Sequence, residues 1–213
     1  VIAIHSFTRI LIVAPHTDDG ELACGASINK WVNEGKTIYY VAFSAAEDSV
    51  PEGFPRDALR KEVLLATCTL GISPQNVRIL KYPVRRFPEY RQDILEDLVT
   101  IKKELQPNLV LLPSQNDIHQ DHQVVTLEGI RAFKTHSVLG YELPWNQLKT
   151  SNTCFSVITR ENLIKKYEAL KCYQTQQHRP YLKDDFIHGW ARMRGTQVGL
   201  EYAECFEIIR WFL

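Results

Sequence analysis

Two kinds of hydrophobic pattern alternate along the chain. Four short, nearly continuous apolar runs stand at Arg9–Pro15, Thr37–Ser44, Val77–Tyr82 and Asn108–Pro113. Runs of this length without strict alternation mark strands buried on both faces. Between them lie stretches with a helical period. Glu21–Asn33 gathers Leu22, Ile28 and Trp31 on one face, and Gly35 stops it. Arg56–Leu70 is followed by Gly71, placed as a C′ residue. Glu89–Leu105 repeats Ile94, Leu95, Leu98, Ile101 and Leu105 at steps of three and four before Pro107 ends it.

Strand–helix units in series predict an α/β fold, a mostly parallel sheet with helices on both faces. Beyond residue 137 the pattern is less regular. Val138–Leu143, Cys154–Thr159 and Cys205–Trp211 read as strands, and Arg160–Cys172 and Asp185–Val198 as helices. This half is expected to extend the sheet and supply one wall of a cleft, so residues 1–213 are expected to form a single domain.

Charge narrows the partners. Lys plus Arg equals Asp plus Glu, 25 each, so nothing in the overall balance favours binding by phosphate neutralisation, and no nucleic acid is expected. Arg85-Arg86 is one candidate for a local basic patch. No run approaches the roughly 18 apolar residues of a membrane span, so no integral membrane segment is expected. The five cysteines lie far apart with no CxxC pair, which predicts buried, reduced thiols. No charged-then-apolar leader opens the chain, and the expected location is cytoplasmic.

The candidate chemistry sits just after two of the buried strands. Pro15-His16-Thr17-Asp18-Asp19-Gly20-Glu21 follows the first, and Asp117-Ile118-His119-Gln120-Asp121-His122 follows the fourth. Ligands of open parallel sheets bind outside the carboxyl ends of the strands, where two such loops can meet. His16, Asp19 and His122 offer two imidazoles and a carboxylate, a donor set suited to catalytic Zn2+ with one position left for water. Asp18 is then a second carboxylate near that water, placed to take its proton. His119 is a candidate acid or oxyanion donor, and Asp121 is a candidate to fix an imidazole tautomer. The plainer alternative makes Asp18-Asp19 a helix cap and charge complement. His5, His136 and His188 are read as ordinary surface or core histidines.

The two clusters resemble the PIG-L/LmbE-like deacetylase family, whose motifs are [AP]HPDDE and HPDH. Glu62, Ala66 and Leu70-Gly71 also resemble that family's E-x3-A-x3-LG helix, and Cys24-Gly25 its CG pair. The resemblance implies a Rossmann-like fold and zinc-dependent removal of acetyl groups from N-acetylglucosamine-type sugars. It implies metal ligands at His16, Asp19 and His122, a base at Asp18 and an acid or oxyanion donor at His119. Thr17 and Gln120 replace prolines of the family motifs. Gly20 stands where the family has Glu, with Glu21 one place later and about 100° further round a helix, so the role of Glu21 stays open at the level of sequence. The resemblance also implies a substrate-contacting arginine near Glu62, for which Arg60 and Arg56 are the candidates.

The polar segments Tyr173–Tyr181 and Arg192–Gln197 suit a sugar-binding wall. Arg179 and Arg194 are the candidates there for an anionic substrate group such as a phosphate. The expected partner is a small amino-sugar substrate. Trp145, Trp190 and Trp211 are candidates for core or for a homo-oligomer interface. Hydrolysis of another N-acyl or amide substrate, or non-catalytic binding of a sugar nucleotide, are the competing readings.

Overall fold

Strand β1 (Arg9–His16) sends alternate side chains into two separate cores. Ile10, Ile12 and Ala14 pack with Leu22, Ile28 and Trp31 of α1 (Asp19–Asn33), with Leu59 and Val63 of α2 (Ala58–Thr69) and with Leu163 of α5 (Arg160–Leu170). Leu11 and Val13 face the other way, toward Ile94 and Leu98 of α3 (Arg91–Leu105) and Val124 and Val125 of α4 (Gln120–Ala132). Both faces of the strand are therefore dry, as its unbroken apolar run requires. Each such side chain contributes roughly 1.5–3 kcal/mol on full burial.

The computed structural model describes residues 7–212, so His5 lies outside the described residues. Seven strands form one sheet in the order β3-β2-β1-β4-β5-β7-β6. They are β1, β2 (Thr37–Ser44), β3 (Val77–Ile79), β4 (Leu109–Pro113), β5 (Ser137–Tyr141), β6 (Asn152–Val157) and β7 (Ala203–Arg210). The first five in that order run parallel, and β7 runs antiparallel to both β5 and β6. α6 (Asp184–Gln197) precedes β7. The mostly parallel α/β sheet expected from the sequence is what forms.

Several boundaries differ from the pattern reading. β3 spans three residues rather than six. Leu80 and Tyr82 still donate backbone N–H bonds to Ala42 and Phe43, but the ladder stops there. This is the sheet edge, and Pro83 offers no N–H to continue it. The two glycines predicted to end helices do so with left-handed backbone, Gly35 at φ +78° and Gly71 at φ +92°. The thiol expectation needs correction. Cys24 and Cys205 are buried, but Cys154 and Cys172 are half-buried and Cys68, on the outer face of α2, is exposed.

Helix α1 is broken at Cys24, whose φ of −137° and ψ of 24° are not helical. The break leaves the N–H groups of Ala26 and Ser27 without partners in the preceding turn. Glu204 of β7 accepts both, at 3.1 and 2.7 Å. Lys166 of α5 neutralises the same carboxylate at 2.7 Å. Gly25 makes the arrangement sterically feasible, because a Cβ there would lie 3.0 Å from the Lys166 side chain. The Cys24-Gly25 pair thus belongs to a buried junction of three elements.

The sheet order reverses direction between β1 and β4. From β1 the chain moves outward to β2 and β3, then returns to β4 on the other side of β1. Loops leaving the carboxyl ends of β1 and β4 consequently splay apart and leave a crevice, the general location of ligands in such sheets.

Candidate active site

That crevice holds both polar clusters. β1 ends on His16, and the chain turns at once into α1. The turn is closed by Asp19, whose Oδ2 accepts the His16 backbone N–H at 2.8 Å. β4 leads through Ser114 to Asp117, whose Oδ1 accepts the His119 backbone N–H at 2.8 Å. His119 is the N-cap of α4, its Nδ1 accepting the Asp121 N–H at 3.2 Å. His122 follows on the first turn.

Three donor atoms converge between these loops. His16 Nδ1 and Asp19 Oδ2 are 3.3 Å apart, His122 Nε2 and Asp19 Oδ2 are 3.3 Å apart, and the two imidazole nitrogens are 3.2 Å apart. An ion about 2.0–2.1 Å from each ligand in tetrahedral geometry requires edges of roughly 3.3–3.4 Å. The triangle therefore fits three corners of a zinc-type coordination sphere. The far nitrogen of each imidazole is tied to a buried carboxylate. His16 Nε2 lies 3.0 Å from Asp121 Oδ2, and His122 Nδ1 lies 2.8 Å from Asp117 Oδ2. With N–H on the outer nitrogens, the tautomer these carboxylates favour when a cation is bound, two lone pairs and a carboxylate would face one point. His119 completes a group of three imidazoles that offer ligand atoms within 4.8 Å of one another.

The ionisation of the site follows from this crowding. Burial disfavours a charged His122, but Asp19 and Asp117 outweigh it and push the imidazole up to about 10. Burial also opposes charge on Asp19, yet His122 and His16 hold that carboxyl well below the usual range. For Asp18 burial dominates, reinforced by the Asp19 charge, and its carboxyl is pushed up to about 6. Burial and the neighbouring His122 and His16 lower His119. Since His119 Nδ1 already accepts a bond, the neutral ring carries its proton on Nε2.

Asp18 stands at the N-cap position of α1 but makes no side-chain capping bond. The capping alternative thus fails for Asp18, and its half-buried carboxylate lines the cleft. The cleft has a volume of roughly 320 Å³. Beside the triangle of His16, Asp19 and His122, Trp145 and Tyr181 form one wall, their rings stacked at 4.0 Å and 10°. Arg85, Asn146, Gln176 and Arg179 supply polar groups.

The sequence-predicted residues divide accordingly. His16, Asp18, Asp19, His119, His122 and Arg179 line the cleft, and Asp121 lies buried directly behind His16. Arg60 does not line it. Its guanidinium is held by the Ile79 carbonyl at 3.2 Å and Glu47 at 3.4 Å, in a neighbouring hollow beyond Ala46 and Val84. Arg56 pairs with Asp48 in the same hollow. Arg194 is also removed from the cleft. It is buried in a bidentate pair with Glu142, at 2.8 and 2.5 Å, and Trp190 donates to the same carboxylate. Both arginines carry the right chemistry, but each has a carboxylate of its own that spacing along the chain did not reveal. His136 and His188 lie outside the cleft.

Glu21 points into the core rather than the cleft, fully buried beneath the loop it follows. The Tyr40 and Tyr173 hydroxyls contact its two carboxylate oxygens and also the Thr17 carbonyl. A Cβ at position 20 would fall 2.6 Å from the Tyr40 ring, so Gly20 and Tyr40 share the space that a side chain at 20 needs. Sequence reasoning gave no site role to Asp117 or Trp145, whereas Gln176 lies in the Tyr173–Tyr181 segment read as a sugar-binding wall. Asp117 had a legible signal, its position at the head of the Asp-x-His-x-x-His cluster.

Comparison with known proteins agrees with this geometry. The family described as PIG-L, GlcNAc-PI de-N-acetylase, matches residues 11–133, more than half of the chain. The chain belongs to the PIG-L family. The match spans both clusters, and membership makes the chain an enzyme of the deacetylase type. It is 28% identical to the uncharacterized deacetylase YaiS of Escherichia coli (strain K12), over 78% of this chain and 90% of that protein. It is 24% identical to the diacetylchitobiose deacetylase of Thermococcus kodakarensis, over 58% of this chain but only 48% of that protein. Among solved structures, the conserved protein TT1542 from Thermus thermophilus superposes with a TM-score of 0.81 at 23% identity, covering 97% of this chain and 96% of that one. The 4-carboxy-2-hydroxymuconate hydratase GalB of Pseudomonas putida superposes with a TM-score of 0.79 at 22% identity, over 97% and 98% of the two chains. The architecture is therefore shared with a hydratase, and the reaction must be argued from the site. Among the described residues no helix is long and apolar enough to cross a membrane.

Proposed function

We propose that this PIG-L protein is a zinc-dependent N-deacetylase that hydrolyses the acetamide of an N-acetylglucosamine-type sugar or glycoconjugate to a free amine and acetate. The observation that carries the reading is the near-equilateral triangle of His16 Nδ1, Asp19 Oδ2 and His122 Nε2 beside an Asp18 carboxylate that caps nothing. The deacetylase relatives and the mixed polar and aromatic lining of the cleft support a sugar substrate.

Zinc held by His16, Asp19 and His122 would supply a water of lowered pKa and a Lewis acid for the acetamide carbonyl. Asp18 removes the proton of the attacking water. A carboxyl placed near 6 by burial is matched to that task at neutral pH. The neutral His119 donates its Nε2–H to the carbonyl oxygen as negative charge collects there. The proton held by Asp18 is then delivered to the amine nitrogen, the C–N bond breaks, and acetate and amine leave. Asp121 and Asp117 keep His16 and His122 in the tautomers that aim their lone pairs inward.

The test is acetate release by zinc-loaded protein from N-acetylglucosamine derivatives, with Asp18→Ala as control. Release that needs both zinc and Asp18 supports the reading. A metal-replete protein that binds these sugars without releasing acetate would favour the non-catalytic alternative. Release only from non-sugar amides would move the assignment to another N-acyl substrate.

A further inference from the structure

Beneath the loop that carries Asp18 lies a dry cluster of one acid and two phenols. Glu21, Tyr40 of β2 and Tyr173 are all fully buried. Their common partner is the Thr17 carbonyl. The Tyr40 hydroxyl lies 2.9 Å from its oxygen and the Tyr173 hydroxyl 2.6 Å. Glu21 contacts both hydroxyls, that of Tyr173 at 2.7 Å. The Gly20 N–H donates to the Tyr40 oxygen at 3.3 Å. Only a residue without Cβ lets Tyr40 stand so close, since a Cβ at position 20 would fall 2.6 Å from its ring. Gly20, which departs from the family motif, and Glu21, one place later, are thus two parts of one arrangement.

Folding alone does not call for this cluster. A buried carbonyl just outside a helix is satisfied by one donor. Thr17 is offered two hydroxyls, one from a strand and one from the segment after α5, and apolar packing would avoid the cost of burying an acid and two phenols. What the two hydroxyls fix is a peptide plane. The Thr17–Asp18 bond is trans, so the Thr17 carbonyl, the Asp18 nitrogen and the Asp18 Cα are coplanar. Clamping the oxygen therefore fixes the Cα from which the Asp18 carboxylate projects. His16 and Asp19, on either side, have anchors of their own in Asp121 and in the bond from the His16 N–H to Asp19. Asp18 has no side-chain capping bond. Tyr173 also opens the segment that Glu62 of α2 anchors, its carboxylate accepting the Thr175 N–H at 3.0 Å and the Thr175 hydroxyl at 2.6 Å. Gln176 and Tyr181 of that segment line the cleft.

We propose that Tyr40 and Tyr173 are positioning residues for the reaction. Through the Thr17 carbonyl their hydroxyls hold the Asp18 carboxylate where it takes the proton of the attacking water, and Tyr173 ties that position to the cleft wall that follows it in the chain. The assignment rests on the deacetylase reading and adds two buried residues that act only through the loop above them. A base displaced by about 1 Å loses about a hundredfold in rate, so a clamp on its backbone has a large effect without touching substrate.

The experiment removes each hydroxyl and keeps the ring, with Tyr40→Phe, Tyr173→Phe and the double variant as zinc-loaded proteins. Acetate release is followed on the N-acetylglucosamine derivative that the parent hydrolyses best. Each single variant is expected to lower kcat about 10–100-fold while KM stays within about twofold and bound zinc stays near one per chain. Because both hydroxyls act on one carbonyl, the double variant should lose less than the product of the two single losses. Losses that multiply would mean two independent effects and overturn the shared route. Unchanged kcat in both single variants would overturn the proposal, and so would kcat, KM and zinc content failing together, which is the mark of a scaffold role. Should Tyr173→Phe not fold, Tyr40→Phe, on a different element, gives the same kcat and KM readout. If the parent releases no acetate from any N-acetylglucosamine derivative, the deacetylase reading fails, and the positioning is judged by crystal structures of the parent and Tyr40→Phe. A Thr17–Asp18 peptide turned and an Asp18 carboxylate displaced by about 1 Å or more supports it. An unmoved Asp18 overturns it.

Discussion

The carboxylates at and beneath the first loop differ in role because their surroundings differ. Asp19 is drawn into the triangle by two imidazoles, whereas Asp18, one position earlier, has neither a capping bond nor an ion pair among the described residues, which suits it to the base role proposed for it. Asp18→Asn is therefore expected to lower kcat by about 10²–10⁴ while bound zinc, measured by elemental analysis, stays near one per chain. Zinc lost along with activity would reassign Asp18 to metal holding. Glu21 is a different case. Two tyrosine hydroxyls, with one proton each, make four contacts to three acceptor atoms, the two Glu21 oxygens and the Thr17 carbonyl. A proton on Glu21 supplies a donor the cluster lacks. Burial, only partly offset by the hydroxyls, pushes its carboxyl up from an ordinary 4.5 to about 8. The sign follows directly. The folded state holds this proton more tightly than the unfolded chain, so the associated stability is complete below about 4.5 and is lost as pH rises through 8. Glu21→Gln, which imitates the neutral acid, should melt close to the parent at pH 5 and several degrees above it at pH 9. Parallel melting curves across that range would show that Glu21 is ionised in the fold.

At the scale of elements, the site depends on how helices meet strands. The break in α1 is held by a carboxylate from β7 and a lysine from α5, all buried. Lys166→Met leaves Glu204 buried without its counter-ion and is expected to cost about 3–5 kcal/mol in denaturant unfolding. Lys166→Met combined with Glu204→Gln should cost less than the single change, since no unpaired charge remains. A single mutant with unchanged midpoint would mean that the two backbone N–H groups alone satisfy Glu204. The α4 entry carries a second dependence. Asp117 bonds the His119 N–H with one oxygen and the His122 ring with the other, so one side chain sets both residues. Asp117→Asn is expected to weaken zinc affinity about 10–100-fold, as read by competition with a chromogenic chelator. Its Asp121 counterpart holds His16, and there the backbone N–H groups of Arg85 and Phe87 complete the carboxylate's partners at 2.6 and 3.2 Å.

For the molecule as a whole, the triangle of His16, Asp19 and His122 joins loops from two different strands, so a zinc ion held there as proposed would act as a cross-link of the folded state only. Saturating zinc at about a hundred times its dissociation constant stabilises by about 2.7 kcal/mol, which for a chain of this size corresponds to roughly 5–10 °C in melting temperature. Chelator should remove that increment, and His122→Ala should not show it. The chain itself determined the outline of this picture. The apolar runs named β1, β2 and β4 with small end errors, because strands buried on both faces have no other composition. The two polar clusters pointed to His16, Asp18, Asp19, His119 and His122, which the fold brings to one cleft, because both clusters stood at strand ends. Partnership across the fold was decided only in three dimensions. Arg60 and Arg194 looked as fit for substrate as Arg179, and what separates them is that Glu47 and Glu142 reach the first two in space while no carboxylate among the described residues reaches the third. Arg85 read as half of a surface patch until its left-handed backbone and its bond to Asp121 placed it on the cleft. Residue types and their local periods are properties of the chain, but which charges are already neutralised depends on distances that exist only once sheet order and loop paths bring remote segments together.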